Sequence, residues 1–179
     1  GLPDAIKKIP ITEKDGGTED YLYVEDLAGI VSAVQMNALE FHVWGAKIAD
    51  VEKPERMIFD IDPDEGLEFD AVRRAAIDIR DLLGALGLET FPMVTGGKGI
   101  HVIAPLTPAA EWPEIKTFCK AFAQLLEAKQ PERFVATMSK AKRKGRLFVD
   151  YLRNERGSTA IAPFSTRSRE GAPVAVPIG

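Results

Sequence analysis

Cysteine is nearly absent: Cys119 is the only one in 179 residues. That excludes a disulfide-stapled scaffold. With only His42 and His101 to join it, a Cys/His structural zinc site is nearly excluded as well. No apolar run approaches the ~18 residues of a membrane-spanning helix, and no charged-then-apolar leader opens the chain. Net charge is also scarce, since 23 basic and 27 acidic residues leave −4. Taken whole, that balance does not suggest a nucleic-acid partner. What is present, 45% hydrophobic and 28% charged residues, is ordinary for a soluble globular domain and too apolar for a disordered one. The length fits one domain, or one domain with an appendage.

The charge is unevenly spread. Between Lys140 and Arg169 stand nine basic residues: Lys140, Lys142, Arg143, Lys144, Arg146, Arg153, Arg156, Arg167 and Arg169. Only Asp150 and Glu155 oppose them, so this stretch carries +7 and the remainder −11. An acidic protein can still turn one basic surface to a polyanion. Lys140–Arg146 reads equally well as a solvated loop. The later arginines lie among Gly, Ser, Thr and Pro, where no helix needs decorating, and arginine is the preferred planar fork for phosphate.

Periodicity outlines the elements. The first twenty residues contain Pro3, Pro10, Gly16 and Gly17 and read as irregular or as a short edge strand. Tyr21–Val24 is β-like. Leu27, Ile30, Val31 and Val34 have helical spacing within Glu25–Met36. Leu39–Trp44 is a strand candidate, and Met57–Ile61 is an apolar strand ending in carboxylates. A stripe from Phe69 through Val72, Ala76, Ile79, Leu82 and Leu83 to Leu86 predicts a helix stopped at Gly87. Glu89–Val94 and Ile100–Ala104 are strands joined by the tight turn Thr95-Gly96-Gly97-Lys98-Gly99. Glu111–Leu126 is a second helix, with Trp112, Ile115, Phe118, Phe122, Leu125 and Leu126 predicted to face inward and Cys119 a core residue. Leu147–Leu152 is a further strand. From about residue 57 to 152 the order is β-α-β-β-α-β. The expected class is α+β with a split β-α-β, ferredoxin-like core of the kind RNA-recognition modules use. In that topology the first and third strands are antiparallel neighbours. The end of Met57–Asp62 then lies beside the start of Ile100–Ala104.

Those two places carry the unusual polar residues. Period-2 geometry puts Asp60 and Asp62 on one face of a strand. Two adjacent anions repel, and burying them is costly unless a cation intervenes. A hard, oxygen-seeking cation, Mg²⁺ or Mn²⁺, explains them economically. Asp150, after Leu147-Phe148-Val149, supplies a third carboxylate, and three strand-borne aspartates suit a two-metal phosphoryl or nucleotidyl transfer site. The plain alternative is a turn at Asp62-Pro63 with Asp60 partly exposed. A calcium loop counted from Asp60 fails, because its sixth and twelfth positions hold Glu65 and Ala71. A haloacid-dehalogenase-like phosphatase is weakly supported, since Asp150 lacks an acidic neighbour. A Walker-type loop fails because Gly99 follows Lys98.

In Thr95–His101, glycines expose backbone N–H groups and Lys98 adds charge, a combination suited to a phosphate chain. His101 begins the next strand, where it can face the carboxylates. A simple hairpin and a core histidine are the plain alternatives. His42 shares a strand face with Glu40 and Trp44 and, taken alone, reads as structural.

Phe59–Pro63, Thr95–His101 and Phe148–Asn154 resemble the three motifs of the archaeo-eukaryotic primase superfamily. The match is to the polymerase domain of bacterial ATP-dependent DNA ligase D, which acts in non-homologous end joining. Leu39–Gly45, Arg153–Gly157 and Ala162–Arg169 agree as flanks, and the likeness runs from about Tyr21 to Ile178.

The resemblance implies a nucleotidyltransferase adding NTP or dNTP to a DNA 3′-OH at breaks or gaps. Asp60, Asp62 and Asp150 would ligate two divalent metals, often Mn²⁺. His101, with Thr95, Gly96 and Lys98, would hold the triphosphate, which His42 would also touch. Arg167, with Arg153 or Arg169, would meet triphosphate or template. Lys142, Arg143, Lys144 and Arg146 are weaker DNA-contact candidates. Thr95 replaces the family's usual Ser, another hydroxyl. The family domain begins roughly seventy residues earlier, in a part supplying a lysine and a phenylalanine for the 5′-phosphate end. Residues 1–179 are therefore expected to be one catalytic domain lacking that front part. Fused ligase and phosphoesterase domains, the Ku end-binding protein, DNA ends with a 5′-phosphate and a bacterial cytoplasmic, nucleoid-associated setting are the implied context. Two other readings remain: an RNA-recognition-like binding module without catalysis, and the aspartate-based phosphatase.

Overall fold

The computed structural model describes residues 1–13 and 15–179. They form two compact units, residues 1–39 and 40–179. Among the described residues, no helix is long and apolar enough to cross a membrane.

The first unit is a hairpin and a helix. Strands β1 (Lys7–Thr12) and β2 (Thr18–Tyr23) pair antiparallel, from Lys7 opposite Tyr23 to Thr12 opposite Thr18. Of the two expectations for the first twenty residues, irregular chain or a short edge strand, the strand is the one that forms: Pro3, Pro10, Gly16 and Gly17 punctuate a strand pair without preventing it. Pro10 is compatible because a two-stranded ribbon leaves each strand an unpaired edge. Helix α1 (Leu27–Gln35) begins at Asp26, whose carboxylate accepts the Gly29 N–H at 2.9 Å. The helical spacing is as expected, yet Leu27, Ile30, Val31 and Val34 are all exposed. Periodicity specifies a helix; it does not specify that something covers the stripe.

The second unit is built on a six-stranded sheet in the order β10-β5-β6-β4-β8-β7. Its members are β4 (Arg56–Pro63), β5 (Phe91–Val94), β6 (Ile100–Pro105), β7 (Phe134–Val135), β8 (Leu147–Asp150) and β10 (Val176–Pro177). β7 pairs parallel to β8 and the other neighbours are antiparallel. The mixed α/β architecture agrees with the expected class, including β4 beside β6. A separate ribbon joins β3 (His42–Trp44) to β9 (Thr159–Ile161). β3 is shorter than the expected Leu39–Trp44, and β8 stops at Asp150 rather than Leu152.

Helices α2 (Phe69–Ala85) and α3 (Trp112–Lys129) cover one face of the sheet. α2 buries Val72, Ala75, Ala76, Ile79 and Leu83, while Asp70, Arg73 and Arg74 pair on its outer side. α3 opens with a capping box between Glu111 and Glu114 and buries Trp112, Cys119, Phe122, Ala123 and Leu126. Leu125, expected inside, is exposed, because Leu126 occupies the inward position beside it.

Strand alternation then sorts the sheet. Met57, Phe59 and Ile61 of β4, Ile100, Val102 and Ala104 of β6, and Leu147 and Val149 of β8 join the helix-side core. The Phe59 and Phe122 rings meet there at 4.9 Å between centroids. The opposite face therefore receives Asp60, Asp62, His101, Phe148 and Asp150.

Candidate metal and nucleotide site

The register brings the acidic residues together. Asp60 lies directly opposite His101 of β6 on one side and Asp150 of β8 on the other. Directly paired residues in antiparallel strands project to the same face. One carboxylate oxygen from each of Asp60, Asp62 and Asp150 can be chosen so that all lie within 4.8 Å of one another. Asp60 and Asp150 are 7% exposed, and Asp62 is half-buried.

Such a cluster is electrostatically unfavourable alone. Burial, followed by repulsion from Asp60 and Asp150, pushes the Asp62 carboxyl up to about 6. Burial likewise raises Asp150, against the Leu152 N–H bond at 2.8 Å and the Arg153 charge. Arg153 partly compensates, with Nε 3.6 Å from Asp150 and Nη2 3.9 Å from Asp60. His101 Nε2 is 3.3 Å from Asp60 Oδ2, while its Nδ1 is buried without a hydrogen-bond partner among the described residues. Three clustered acceptor-only carboxylates, two of them held off their preferred ionisation, fit a hard divalent cation.

Close packing holds the acidic strand end against the glycine turn. A Cβ on Gly99 would sit 2.8 Å from the Ile61 carbonyl, 3.2 Å from Asp60 Oδ1 and 3.5 Å from Asp62 Oδ1. Only glycine lets β6 approach so near. Gly96 has φ +69, and a Cβ there would meet Arg167 Cγ at 2.9 Å. The Thr95 hydroxyl donates to Gly99 O at 3.1 Å and closes the turn.

These residues line a cleft of about 390 Å³. It gathers ten of the expected site residues: His42, Asp60, Asp62, Thr95, Lys98, His101, Arg143, Arg153, Arg167 and Arg169. Asp150 lies beneath, as part of the carboxylate cluster. Gly96 serves the turn backbone. Lys142 and Lys144 are exposed outside the lining, and Arg146 is engaged by the Pro131 and Lys142 carbonyls. Arg143 stands closer to the acids than expected. Its guanidinium lies 3.8 Å over the Phe148 ring, on the same sheet face, and its charge opposes the rise at Asp62. The Gly145 N–H bond to Asp64 at 2.8 Å ties that loop to the end of β4.

The family model of the LigD primase-polymerase domain matches residues 1–179. The chain belongs to that family. A multifunctional non-homologous end joining protein LigD from Pseudomonas aeruginosa is 42% identical over 164 residues, covering 92% of this chain and 20% of the relative. One from Mycolicibacterium smegmatis is 34% identical over 177 residues, covering 98% of this chain and 23% of the relative. The chain thus spans about a fifth of these LigD proteins. The polymerase domain of Mycobacterium tuberculosis ligase D, solved in complex with DNA, superposes with a TM-score of 0.91 at 32% identity. That match covers 99% of this chain and 64% of the LigD polymerase-domain chain.

Two residues in the LigD-type site escaped sequence reasoning. Asn154, 1% exposed, pins the segment after β8 to β4: it accepts the Ile58 N–H and donates to the Ile58 and Tyr151 carbonyls, at 2.7, 2.7 and 2.9 Å. Glu40 accepts from three groups around His42 and Arg167. Its place two residues before His42 was the available signal.

Proposed function

We propose that the chain is the catalytic core of a metal-dependent nucleotidyltransferase that adds NTP or dNTP to a DNA 3′-OH during non-homologous end joining. The observation that carries this reading is the register at Asp60, which sets three carboxylates beside a glycine-rich turn in a cleft lined by basic side chains. Membership of the LigD primase-polymerase family supports it.

Asp60, Asp62 and Asp150 would hold Mn²⁺ or Mg²⁺. The chemistry a bound divalent cation supplies is charge neutralisation at the triphosphate and a lowered proton affinity at the attacking hydroxyl. The chain's own side chains do the rest. Lys98, Arg167 and His42 bind the triphosphate along the wall of the cleft. The buried ring of His101 orients Asp60 through Nε2. Its Nδ1, like Arg143 Nε in the same cleft, is buried without a hydrogen-bond partner among the described residues, and a ligand group would supply one. The 3′-hydroxyl oxygen bonds to the α-phosphorus as the bond to pyrophosphate breaks. Positioning and charge balance carry the rate, because the reacting phosphoryl group needs little covalent help from protein.

The DNA partner is an end or gap bearing a 5′-phosphate, met by Arg153, Arg169 and the loop from Lys142 to Arg146. Fused ligase and phosphoesterase domains, and the Ku end-binding protein, are the setting in which the chain works. A base-stacking module would want aromatic side chains where Asp60, His101 and Asp150 stand.

The test is Mn²⁺-dependent extension of a gapped, 5′-phosphorylated duplex. Extension should occur and be lost in Asp60→Ala. Extension that survives Asp60→Ala, or metal-dependent release of inorganic phosphate instead, contradicts the reading.

A further inference from the structure

Glu40 lies 22% exposed beside the cleft without lining it. Its Oε2 is 2.8 Å from His42 Nε2. Its Oε1 accepts from Arg167 Nε at 3.3 Å and from the Ser168 N–H at 2.5 Å. These bonds, that of His42 first, hold the carboxyl down at about 2, so it is an anion at any working pH. An ionised carboxylate only accepts, so His42 Nε2 must carry the proton of that bond. Among the described residues, no partner takes the Nδ1 atom. Arg167 gives Nε to Glu40 and Nη1 to the Thr95 carbonyl at 2.8 Å. Among the described residues, three of its five N–H donors stay available.

The Glu40 backbone is itself fixed. The next residue, Phe41, donates its N–H to Ser165 Oγ at 2.9 Å and accepts the Ala162 N–H at 2.8 Å. His42 then pairs with Ile161. One carboxylate on a pinned segment before β3 thus ties together a histidine from β3, an arginine from the segment after β9, and, through that arginine, the turn at Thr95. Free arginine side chains are rotamer-rich, and binding energy is lost whenever one must be ordered by its ligand.

We propose that Glu40 is a positioning residue that presents His42 and Arg167 together to the triphosphate of an incoming nucleotide. This rests on the reading of the cleft as a triphosphate site. Glu40 touches no reacting atom; it acts through His42 and Arg167. Arg167 balances its charge locally, and Lys98 and Arg169 keep the wall cationic.

The experiment measures Mn²⁺-dependent binding of a non-hydrolysable nucleoside triphosphate to the 179-residue chain by calorimetry. Glu40→Gln keeps the shape and removes the charge, and should weaken binding by about 10- to 100-fold, the usual range for a lost charge-assisted bond. Binding of Mn²⁺ alone should be unchanged, which global loosening of the site would not allow. Glu40→Asp, a carboxylate one methylene shorter, should fall between wild type and Glu40→Gln. In the presence of Arg167→Ala, the further effect of Glu40→Gln should shrink to the share carried through His42, because Glu40 and Arg167 act as one unit. Undiminished affinity in both Glu40 variants, or fully additive losses with Arg167→Ala, overturns the proposal while leaving the triphosphate reading intact. No triphosphate binding by the wild-type chain, with Mn²⁺ binding preserved, overturns that reading and this inference with it.

Discussion

Asp62 should destabilise the metal-free protein, and replacing it with asparagine should make the fold stronger. The folded environment raises its carboxyl from 3.8 to about 6. The folded state therefore holds this proton more tightly than the unfolded chain does. Stability from this group is lowest above about pH 6 and recovers as pH falls from about 6 to about 4; Asp150 is shifted in the same direction. A rise of this size corresponds at the limit to about 3 kcal/mol at pH 8. Asp62 is only partly buried, and solvent screening brings the expected cost to about 1–2 kcal/mol. Asp62→Asn should recover about that amount at pH 8 in a metal-free urea titration and flatten the dependence between about pH 4 and 6. Trp44 and Trp112 both lie in the unit that holds the site, so tryptophan fluorescence reports it. Excess Mn²⁺ should also stabilise the wild type, by about 2.7 kcal/mol at a hundred times Kd, and do far less for the variant. A variant weaker than wild type at pH 8 without metal, or one with an unchanged pH slope, refutes the electrostatic account of the triad.

Asn154→Ala removes three backbone hydrogen bonds and leaves the Ile58 N–H buried without a partner. It should cost about 3 kcal/mol in the same urea titration, against well under 1 kcal/mol for a typical exposed polar residue. Gly99→Ala forces a methyl against the Ile61 carbonyl, where backbone cannot yield cheaply. It should lose about 1–3 kcal/mol and weaken Mn²⁺ binding, whereas Gly84→Ala on α2, which meets nothing within 4 Å, should gain up to about 1 kcal/mol.

Much of the site was readable from strand period and order alone. Asp60 and Asp62 on one face, His101 across the neighbouring strand and the turn at Thr95–Gly99 all follow from alternation plus the β-α-β-β-α-β order. Residues whose role depends on the path of a loop were not readable in this way. Arg143 reaches the acids because it stacks on Phe148 and because Asp64 holds its loop; from the sequence it was one of several loop cations. Glu40 gains its partners from a segment more than 120 residues away, Arg167 and Ser168. The apolar stripe of α1 marks the limit of periodicity, since Leu27, Ile30, Val31 and Val34 have helical spacing and remain exposed. The overall charge of −4 had concealed both halves of the site, a basic stretch of +7 and three aspartates gathered within 4.8 Å.

The central claim is that those three aspartates are a cation site, and direct titration with Mn²⁺ tests it. Electron paramagnetic resonance of free Mn²⁺ at pH 7.5 should reveal binding by the wild-type chain. Binding should be lost in Asp60→Ala and in Asp150→Ala and kept in Glu40→Gln. Equal Mn²⁺ uptake by the wild type and both aspartate variants would contradict the account.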